Sequence, residues 1–407
     1  MTIENQQQNN VKLEKEQLTI GFIPLTDCAT LAVAKEKGFF KQYGLDVTLS
    51  KEASWANIRD KLAYGILDAA QMLATMPITS SLGTGSWKKE TISSLVLGVN
   101  GNAITVSCRL YEQLKEIDPN FDKQRPVTAD TLKILIEQRK VKDLTPLTFA
   151  HVFPASTHNY FLRYWLASAG IDPDHDVILN VIPPQQMVKN LENNMVDGFC
   201  VGEPWNQQAI VKGLGHVLIT SYEIWNNAPE KVLGLNKEWA YSHPNTHRAL
   251  IKALIESARW IDDDENRVEV AKIISQEEYT HLPEEIILPP LLGKYRYHPE
   301  GEAENLPQFN LFYKYNASFP WLSQAEWYMS QMIRWGDISD SLDIESILKN
   351  IFWVDFHRQV MEEMGLDSPT INKKSEGLHA KEWEVTSRNG TQTMSSDLFF
   401  DGQVFEY

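Results

Sequence analysis

The chain has 407 residues, of which 43% are hydrophobic and 23% are charged, a composition typical of a globular protein with more than one domain. Its formal net charge of −16 argues against a broad nucleic-acid surface, because phosphate binding relies on clustered Lys and Arg. No stretch approaches the roughly 18–20 apolar residues of a membrane helix, and the cysteines Cys28, Cys108 and Cys200 form no C-x-x-C pair.

The first part of the chain alternates short β-like runs with helical stretches, a pattern typical of an α/β unit with a parallel sheet. Strands are predicted at 18–23, 45–49 and 69–72. Helices are predicted at 29–43, ended by Gly44, and at 55–65.

A second α/β unit follows the segment 110–145, whose charges and prolines predict a loop-rich, solvated surface excursion. Its predicted elements alternate in the same way. They are strands at 147–153, 176–182 and 198–201 and helices at 158–169 and 187–195. Two α/β units in one chain indicate two lobes with a cleft between them.

From about residue 248 onward, the sequence pattern becomes mainly helical. Apolar residues at helical spacing predict helices at 248–262 and 326–336. The polar stretch 368–396 predicts an exposed linker, and the apolar segment 398–405 is expected to dock back on the body.

These patterns predict a division of the chain into four parts. They are a flexible N-terminal segment (1–17), lobe I (18–106 and 209–262), lobe II (107–208), and a C-terminal helical region with a tail that wraps the lobes (263–407). The opening stretch, residues 1–17, lacks the basic region, apolar core and small-residue cleavage site of an export signal. A cytoplasmic location is therefore expected, and the unpaired cysteines fit a reducing compartment.

The signatures of catalysis and metal binding are missing from the sequence. It contains no phosphate-binding loop, no dinucleotide fingerprint, no H-E-x-x-H and no G-x-S-x-G, so no enzyme activity, cofactor or metal is expected. What remains is a set of polar and aromatic residues at predicted strand ends, where open α/β sheets bind ligands. They lie at 24–27, 54–55, 101–102, 156–158 and 202–203. Several of these segments open helices, which favours a small anion.

The same segments resemble the nitrate-binding receptors of bacterial ABC importers and their soluble cytoplasmic relatives. The resemblance is carried by GFIPLTDCATLAVAKEKGFFKQYGLDV (21–47), ASWANIRDKL (53–62), STHNYFLRYWLASAGIDPDHDV (156–177), PPQQMV (183–188), FCVGEPWNQQ (199–208) and EIWNNAPEK (223–231). It implies an α/β, two-lobed, flytrap-like fold of the type II periplasmic-binding-protein class, with a helical C-terminal extension.

The resemblance also implies an anion pocket. Its members would be Trp55 in the ASW motif, His158 as a side-chain donor, Pro183 or Pro184 in the wall, Gly202 as a backbone donor and Lys231 as the positive charge. Where the transport receptors have Gln, this chain has Asn102, one methylene shorter, which predicts a shift toward nitrite or a water-mediated contact. The resemblance implies that bicarbonate-binding relatives hold an acidic residue and calcium in this region, so Lys231 favours nitrate or nitrite while the adjacent Glu230 leaves bicarbonate open.

For the whole protein, the resemblance implies a cytoplasmic nitrate and nitrite sensor. In that branch of the family the anion-free protein holds an RNA-binding antiterminator of the ANTAR type, and anion binding releases it to switch on nitrate-assimilation genes. The alternative is the extracytoplasmic substrate-binding subunit of a nitrate or bicarbonate ABC importer whose signal peptide is absent from the sequence. An enzyme related to a pyrimidine-making member of this fold is disfavoured, because its cysteine-rich signature is missing.

Overall fold

The computed structural model describes residues 12–85 and 88–407. The strands are β1 (Gln17–Phe22), β2 (Asp46–Lys51), β3 (Ala69–Leu73), β4 (Thr91–Asn100), β5 (Asn102–Ser107), β6 (Leu147–His151), β7 (Val177–Val181), β8 (Gly198–Gly202), β9 (Gly215–Thr220), β10 (Pro229–Asn236), β11 (Lys294–Tyr295), β12 (Glu304–Asn305), β13 (Asn310–Leu311), β14 (Trp383–Ser387) and β15 (Gly390–Met394).

The α-helices lie between and after these strands. They are α1 (Ala29–Glu36), α2 (Phe39–Gln42), α3 (Trp55–Ala63), α4 (Met76–Leu82), α5 (Cys108–Ile117), α6 (Asp130–Val141), α7 (Thr157–Ser168), α8 (Met187–Glu192), α9 (Trp205–Val211), α10 (Ser221–Ile224), α11 (Lys237–Ser242), α12 (Pro244–Ile261), α13 (Arg267–Ile274), α14 (Glu284–Leu291), α15 (Leu322–Arg334), α16 (Ile344–Ile351) and α17 (Val354–Glu363). Short 3-10 helices occupy Thr26–Cys28, Pro184–Gln186, Asp264–Asn266 and Lys314–Asn316.

Two mixed sheets form the centres of the two lobes. Within the described residues, the first has six strands in the order β13-β4-β10-β3-β1-β2, and the second has five in the order β7-β6-β8-β5-β9. β1, β2 and β3 run parallel, as do β6, β7 and β8. The fold is therefore the expected two-lobed α/β architecture.

The division of the strands between the two sheets differs from the predicted division of residues between the two lobes. β5 and β9, assigned to lobe I from the sequence, belong to the second sheet, where β5 pairs with both β8 and β9. The chain crosses between the sheets at Gly101, between β4 and β5, and again between β9 and β10. Hydrophobic periodicity does not reveal this crossing, because β4 and β5 are separated by one residue and are buried throughout.

The segment 110–145 is not a loop-rich excursion, and that prediction was wrong. It contains most of α5 and all of α6, which bury Leu110, Leu114, Leu132 and Leu135. The charged residues that suggested a loop lie on the outer faces of these amphipathic helices.

The polar stretch 368–396 was also predicted wrongly as an exposed linker. It contains the β14–β15 hairpin and two members of a buried ion cluster. In this cluster Lys374 Nζ lies 2.5 Å from Glu376 Oε2 and 3.4 Å from Oδ2 of Asp397, the residue that follows the stretch. The docking of the tail is confirmed, because Phe399 is buried and forms a bridge with Trp225.

The N-terminal segment lies partly outside the described residues, since 1–11 are not described. Of the remainder, Glu14 accepts hydrogen bonds from the backbone of Asn245 and Thr246 at the start of α12. Lys15 forms an ion pair with Asp68 at 2.6 Å. In the part of the chain that the structure describes, no helix has both the length and the apolar character needed to cross a membrane.

Candidate functional site

The candidate site lies where the strand ends of both lobes meet. The 3-10 helix Thr26–Cys28 follows β1, and α3 begins at Trp55 after β2. From the second lobe, α7 follows β6, and β8 ends at Gly202. The lobes touch here, since the Thr26 N–H donates to the Glu203 carbonyl at 2.8 Å and the Thr75 hydroxyl donates to the Ala155 carbonyl. The side chains inside are therefore enclosed.

Lys231 supplies the positive charge at the centre of the site, and it is fully buried. Its Nζ lies 2.8 Å from Asp27 Oδ2, 2.6 Å from Glu230 Oε1 and 5.4 Å from the Trp55 ring centroid. Burial alone would lower the pKa of Lys231, but the charges of Asp27 and Glu230 outweigh it and raise that pKa. The lysine is therefore held in its charged form.

Asp27 is a partner of Lys231 whose ionised form is disfavoured by burial. Its burial raises the pKa of the carboxyl group despite the opposing attraction of Lys231. Its second oxygen, Oδ1, accepts a hydrogen bond of 2.6 Å from Gln71 Nε2. Gln71 in turn accepts from the Ile23 N–H at 3.0 Å, so the amide fixes Asp27 to the end of β1.

A β-bulge places Glu230 and Lys231 on the same side of β10. Pro229 pairs with Val99 and Lys231 pairs with Gly98, so Glu230 is an extra residue opposite β4. Successive residues of a regular strand point to opposite faces, whereas a bulge re-aims one of them. The bulge is therefore what brings a second carboxylate to the lysine.

Several buried polar atoms around Lys231 have no hydrogen-bond partner within residues 12–85 and 88–407. They are Thr26 Oγ1, Trp55 Nε1, Asn102 Nδ2 and Oδ1, His158 Nε2 and Glu230 Oε2. Buried polar groups in native proteins are almost always paired, and leaving one unpaired costs about 1–3 kcal/mol. Such a concentration in one cleft indicates a place for a polar ligand.

His158 enters the site as a neutral ring. Burial and the positive charge of Lys231 hold its pKa well below the usual value. Its Nδ1 lies 3.3 Å from Thr157 Oγ1 and 3.5 Å from Glu230 Oε1. When Thr157 donates to Nδ1, the proton sits on Nε2, and the unpartnered Nε2–H can donate to a ligand.

Gly202 offers a backbone donor beside Asn102. The Glu203 N–H bonds to the Gly101 carbonyl, so Asn102 and Gly202 form a non-hydrogen-bonded pair and the Gly202 N–H points away from β5. A Cβ at position 202 would lie 3.2 Å from Asn102 Oδ1 and 3.5 Å from Leu25 Cδ1. A larger residue would therefore press on both lobes.

Two helix N-termini complete the site. Ser54 caps α3 by accepting from the Asn57 N–H at 3.2 Å, and Ser156 caps α7 by accepting from the Asn159 N–H at 3.0 Å. Trp55 and His158 occupy the first turns of these helices. Both helices direct their positive dipole ends toward the cleft, where they favour negative charge.

Comparison with known proteins places the chain in a family. Residues 11–275 match the model of the NMT1-like family. The chain belongs to the NMT1-like family. This NMT1-like chain is 41% identical to the nitrate import ATP-binding protein NrtC of Synechocystis sp. over 355 residues, which cover 87% of it and 51% of NrtC. It is 39% identical to the bicarbonate transport ATP-binding protein CmpC of the same organism over 364 residues, again 87% of the chain and 51% of CmpC.

The chain thus spans about half the length of these two relatives. A solved structure, the periplasmic nitrate-binding protein NrtA from Synechocystis PCC 6803, superimposes with a TM-score of 0.83 at 30% identity. That likeness covers 97% of this chain and 96% of NrtA.

The structure brings together most residues that the sequence predicts for the pocket of this NMT1-like protein. Trp55, Asn102, His158, Gly202 and Lys231 surround one buried cleft. Pro183 is half-buried after β7, and the neighbouring Pro184 is buried.

Sequence reasoning missed how the two carboxylates engage Lys231. Asp27 falls within the predicted strand-end segment 24–27, but its ion pair spans about two hundred residues of chain. Glu230 follows a bulge that alternation cannot predict. Among the described residues, no group of three or more His, Cys, Asp or Glu side chains is arranged to hold a metal ion.

Proposed function

We propose that this protein binds nitrate or nitrite in the cleft between its lobes. The observation that carries the proposal is the set of unpartnered, buried donors around a charged lysine: Trp55 Nε1, Asn102 Nδ2 and His158 Nε2 beside Lys231. The likeness to proteins named for nitrate import and nitrate binding supports the same ligand.

The donor set suits a planar oxyanion. Removing such an anion from water without partners would cost several kcal/mol or more. Each hydrogen bond to a charged group contributes roughly 1.5–3 kcal/mol, so the lysine and three neutral donors can offset that cost. Neutral donors suit this task because they add no charge that would need a counterion once the anion leaves.

We further propose that the protein acts as a cytoplasmic nitrate and nitrite sensor. Cys28 and Cys200, buried as free thiols, fit a reducing compartment. In this role the partner is an ANTAR-type RNA-binding antiterminator that is held by the anion-free protein and released by the anion.

Release would operate as a population shift. An anion that contacts both lobes favours the closed state, and a partner that binds the open state loses affinity by the same coupling free energy. A hundredfold difference in anion affinity between the two states corresponds to about 2.7 kcal/mol. The alternative role is the substrate-binding subunit of a nitrate or bicarbonate importer, which the likeness to NrtA and CmpC supports.

Calorimetric titration with nitrate, nitrite and bicarbonate tests the ligand. The parent protein should bind nitrate or nitrite, and Lys231→Ala should lose binding by at least about a hundredfold, since the charge and its hydrogen bonds disappear. Lys89→Ala, which removes a lysine paired with the exposed Glu238, serves as the matched control and should bind normally.

Lys231→Ala leaves two buried carboxylates unpaired and could fail to fold. Trp55→Phe therefore accompanies it, because this change removes an unpartnered N–H and keeps an apolar ring. A parent protein that shows no heat with nitrate or nitrite contradicts the proposed ligand.

Co-purification tests the role of the protein. The tagged protein is isolated with an ANTAR-type antiterminator in nitrate-free buffer and again after nitrate is added. A sensor loses the antiterminator on addition of nitrate. An unchanged complex, or no complex in either buffer, contradicts the sensor role and leaves the import role.

A further inference from the structure

The charges in the cleft do not balance once an anion enters. Lys231 carries one positive charge, and Asp27 and Glu230 carry two carboxylates, all buried. His158 is held neutral and adds nothing. With both carboxyl groups ionised, a bound anion would leave two negative charges in excess inside a closed cleft. With Asp27 protonated, as its raised pKa favours, one negative charge would still be in excess, and an uncompensated buried charge is costly.

The excess negative charge is least compensated at one carboxylate oxygen, Glu230 Oε2. Glu230 Oε1 bonds to Lys231 Nζ, but Glu230 Oε2 is buried without a donor in the described residues. Nitrate and nitrite carry acceptor oxygens and no hydrogen. Such an anion beside this carboxylate would place oxygen against oxygen, both negatively charged, unless a hydrogen lay between them.

We propose that the cleft takes up its planar oxyanion together with one proton, held between Glu230 Oε2 and an oxygen of the anion. The inference rests on the proposed anion site and deepens it. With nitrate or nitrite the proton comes from solvent: the carboxylate and a proton form the acid, whose O–H then donates to the anion. With bicarbonate the ligand's own O–H donates to the ionised carboxylate, so no proton is taken from solvent.

Burial already raises the pKa of Asp27, but the hydrogen-bond geometry places Glu230 better to share a proton with the anion. Asp27 Oδ2 bonds to Lys231 and Asp27 Oδ1 accepts from Gln71, so protonating either oxygen would disturb an existing bond. Glu230 Oε2 has no bond to lose. Protonating it leaves Glu230 Oε1 free to keep its contact with the lysine.

Charged and titratable groups on several elements face Glu230. They are Lys231 on β10, Asp27 after β1, His158 on α7, Cys200 on β8 and Tyr328 on α15. Lys231 attracts the Glu230 carboxylate, whereas a negative charge on Asp27 or on an incoming anion repels it. Burial raises the pKa of Cys200 and of Tyr328 far above neutrality, so both stay uncharged. An incoming anion therefore adds a second source of repulsion beside the unpartnered Oε2 of Glu230.

Calorimetry in paired buffers tests the proposal. Nitrate is titrated at pH 7.5 in two buffers with different ionisation heats, with a chelator present to remove divalent cations. The difference in heat gives the number of protons taken up, and a value near one is expected for nitrate and near zero for bicarbonate. Linkage also requires nitrate affinity to fall by up to tenfold for each pH unit above neutrality.

Glu230→Gln is the decisive variant, because its amide supplies an N–H in place of the proton. It should bind nitrate with no proton uptake and with an affinity that does not change between pH 6.5 and 8.5. Glu238→Gln, at an exposed carboxylate, is the matched control and should keep the uptake.

Three results would overturn the inference: nitrate binding without proton uptake, binding that requires calcium, or uptake that persists in Glu230→Gln and disappears in Asp27→Asn. Each of these leaves the proposed anion site intact. A parent protein that binds none of the anions would instead contradict the proposed function itself.

Discussion

At the residue scale, substitution of Asn102 should affect ligand binding without lowering the stability of the protein. Both of its side-chain amide atoms are buried without partners in the described residues. Asn102→Ala should leave the thermal stability of the anion-free protein unchanged or higher, since unpaired polar atoms are removed. Its nitrate affinity should fall about tenfold, the value of one hydrogen bond to a charged group. Calorimetry and a thermal melt measure the two effects.

The control for this variant is a buried asparagine with satisfied bonds. Asn206 donates to the Val201 carbonyl at 2.8 Å and accepts from Thr105 Oγ1 at 2.7 Å. Asn206→Ala should lower the melting temperature clearly, because it strands the Thr105 hydroxyl. Equal destabilisation by the two variants would contradict the assignment of Asn102 to ligand binding.

Glu203 makes the stability of the protein depend on pH. Burial raises the pKa of Glu203 from 4.5 to about 7, against bonds from Tyr295 and the Gln207 N–H that favour the ionised form. Between these pH values the folded protein holds a proton that the unfolded chain has lost, so stability falls as pH rises. The loss amounts to about 3 kcal/mol when complete.

Glu203→Gln should remove this loss, because the amide stays neutral at every pH. Denaturant unfolding at pH 5 and pH 8 measures it: the variant should gain stability relative to the parent by about 2–3 kcal/mol more at pH 8 than at pH 5. Parallel stability profiles for the two proteins would show that Glu203 is ionised throughout.

At the element scale, the apolar C-terminal segment 398–405 docks on the body through an aromatic cluster, as its sequence predicts. Phe399 lies 5.0 Å from the Trp225 ring and 5.5 Å from the Trp327 ring, and the Phe400 N–H donates to the Ile224 carbonyl. Phe399→Ala should cost about 3 kcal/mol of docking energy. The tail should then detach, and amide hydrogen exchange across 397–405 should accelerate while the sheets stay protected.

Phe400→Ala provides the comparison for the tail. Phe400 is half-buried and touches the edge of Tyr164, with ring centroids 5.7 Å apart. Its removal should accelerate exchange much less. Similar exchange in both variants would mean that backbone bonds, rather than the aromatic cluster, hold the tail.

Some helices and strands could be predicted from the sequence and others could not. The helix at 55–65 and the strand at 69–72 were predicted because the apolar spacing is clear and Gly65 ends the helix, and α3 and β3 confirm them. α5 and α6 were missed because their outer faces are dense in charge. The amphipathic spacing of Leu110, Leu114, Leu132 and Leu135 was present in the sequence and would have revealed them.

The candidate site was partly predictable for a related reason. Strand ends and helix starts are local features, so Trp55 and His158 could be placed from motifs. The neutralising contacts of Lys231 depend on a bulge in β10 and on Asp27, which is distant from it in the sequence. Neither leaves a periodic signal, and both emerge only when the sheet is assembled.

At the scale of the whole molecule, the C-terminal region ties the lobes together. β13 pairs with β4 in the first sheet, while Tyr295 donates to Glu203 and the Val217 N–H bonds to the Tyr297 carbonyl in the second lobe. The segment 294–311 therefore spans both lobes. Any opening of the cleft must bend or release this connection as well as the two strand crossings.

The global charge of the protein opposes the entry of the anion that we propose as its ligand. The net charge of −16 repels nitrate at a distance, whereas Lys231 and the helix dipoles attract it only inside the closed site. Repulsion between exposed charges is screened beyond about 8 Å at physiological salt. The association rate of nitrate should therefore rise by roughly twofold or more when ionic strength increases from 10 to 150 mM, about the range in which screening takes hold.

Stopped-flow tryptophan fluorescence measures this rate, since Trp55 lies against the site. The added salt should carry a large organic anion that is shown by competition not to bind. An association rate that falls with ionic strength would mean that a positive local field reaches solvent and steers the anion in. An association rate that does not change with ionic strength would mean that opening of the lobes is the rate-limiting step. Such a conformational step inside the molecule is little affected by screening between distant charges.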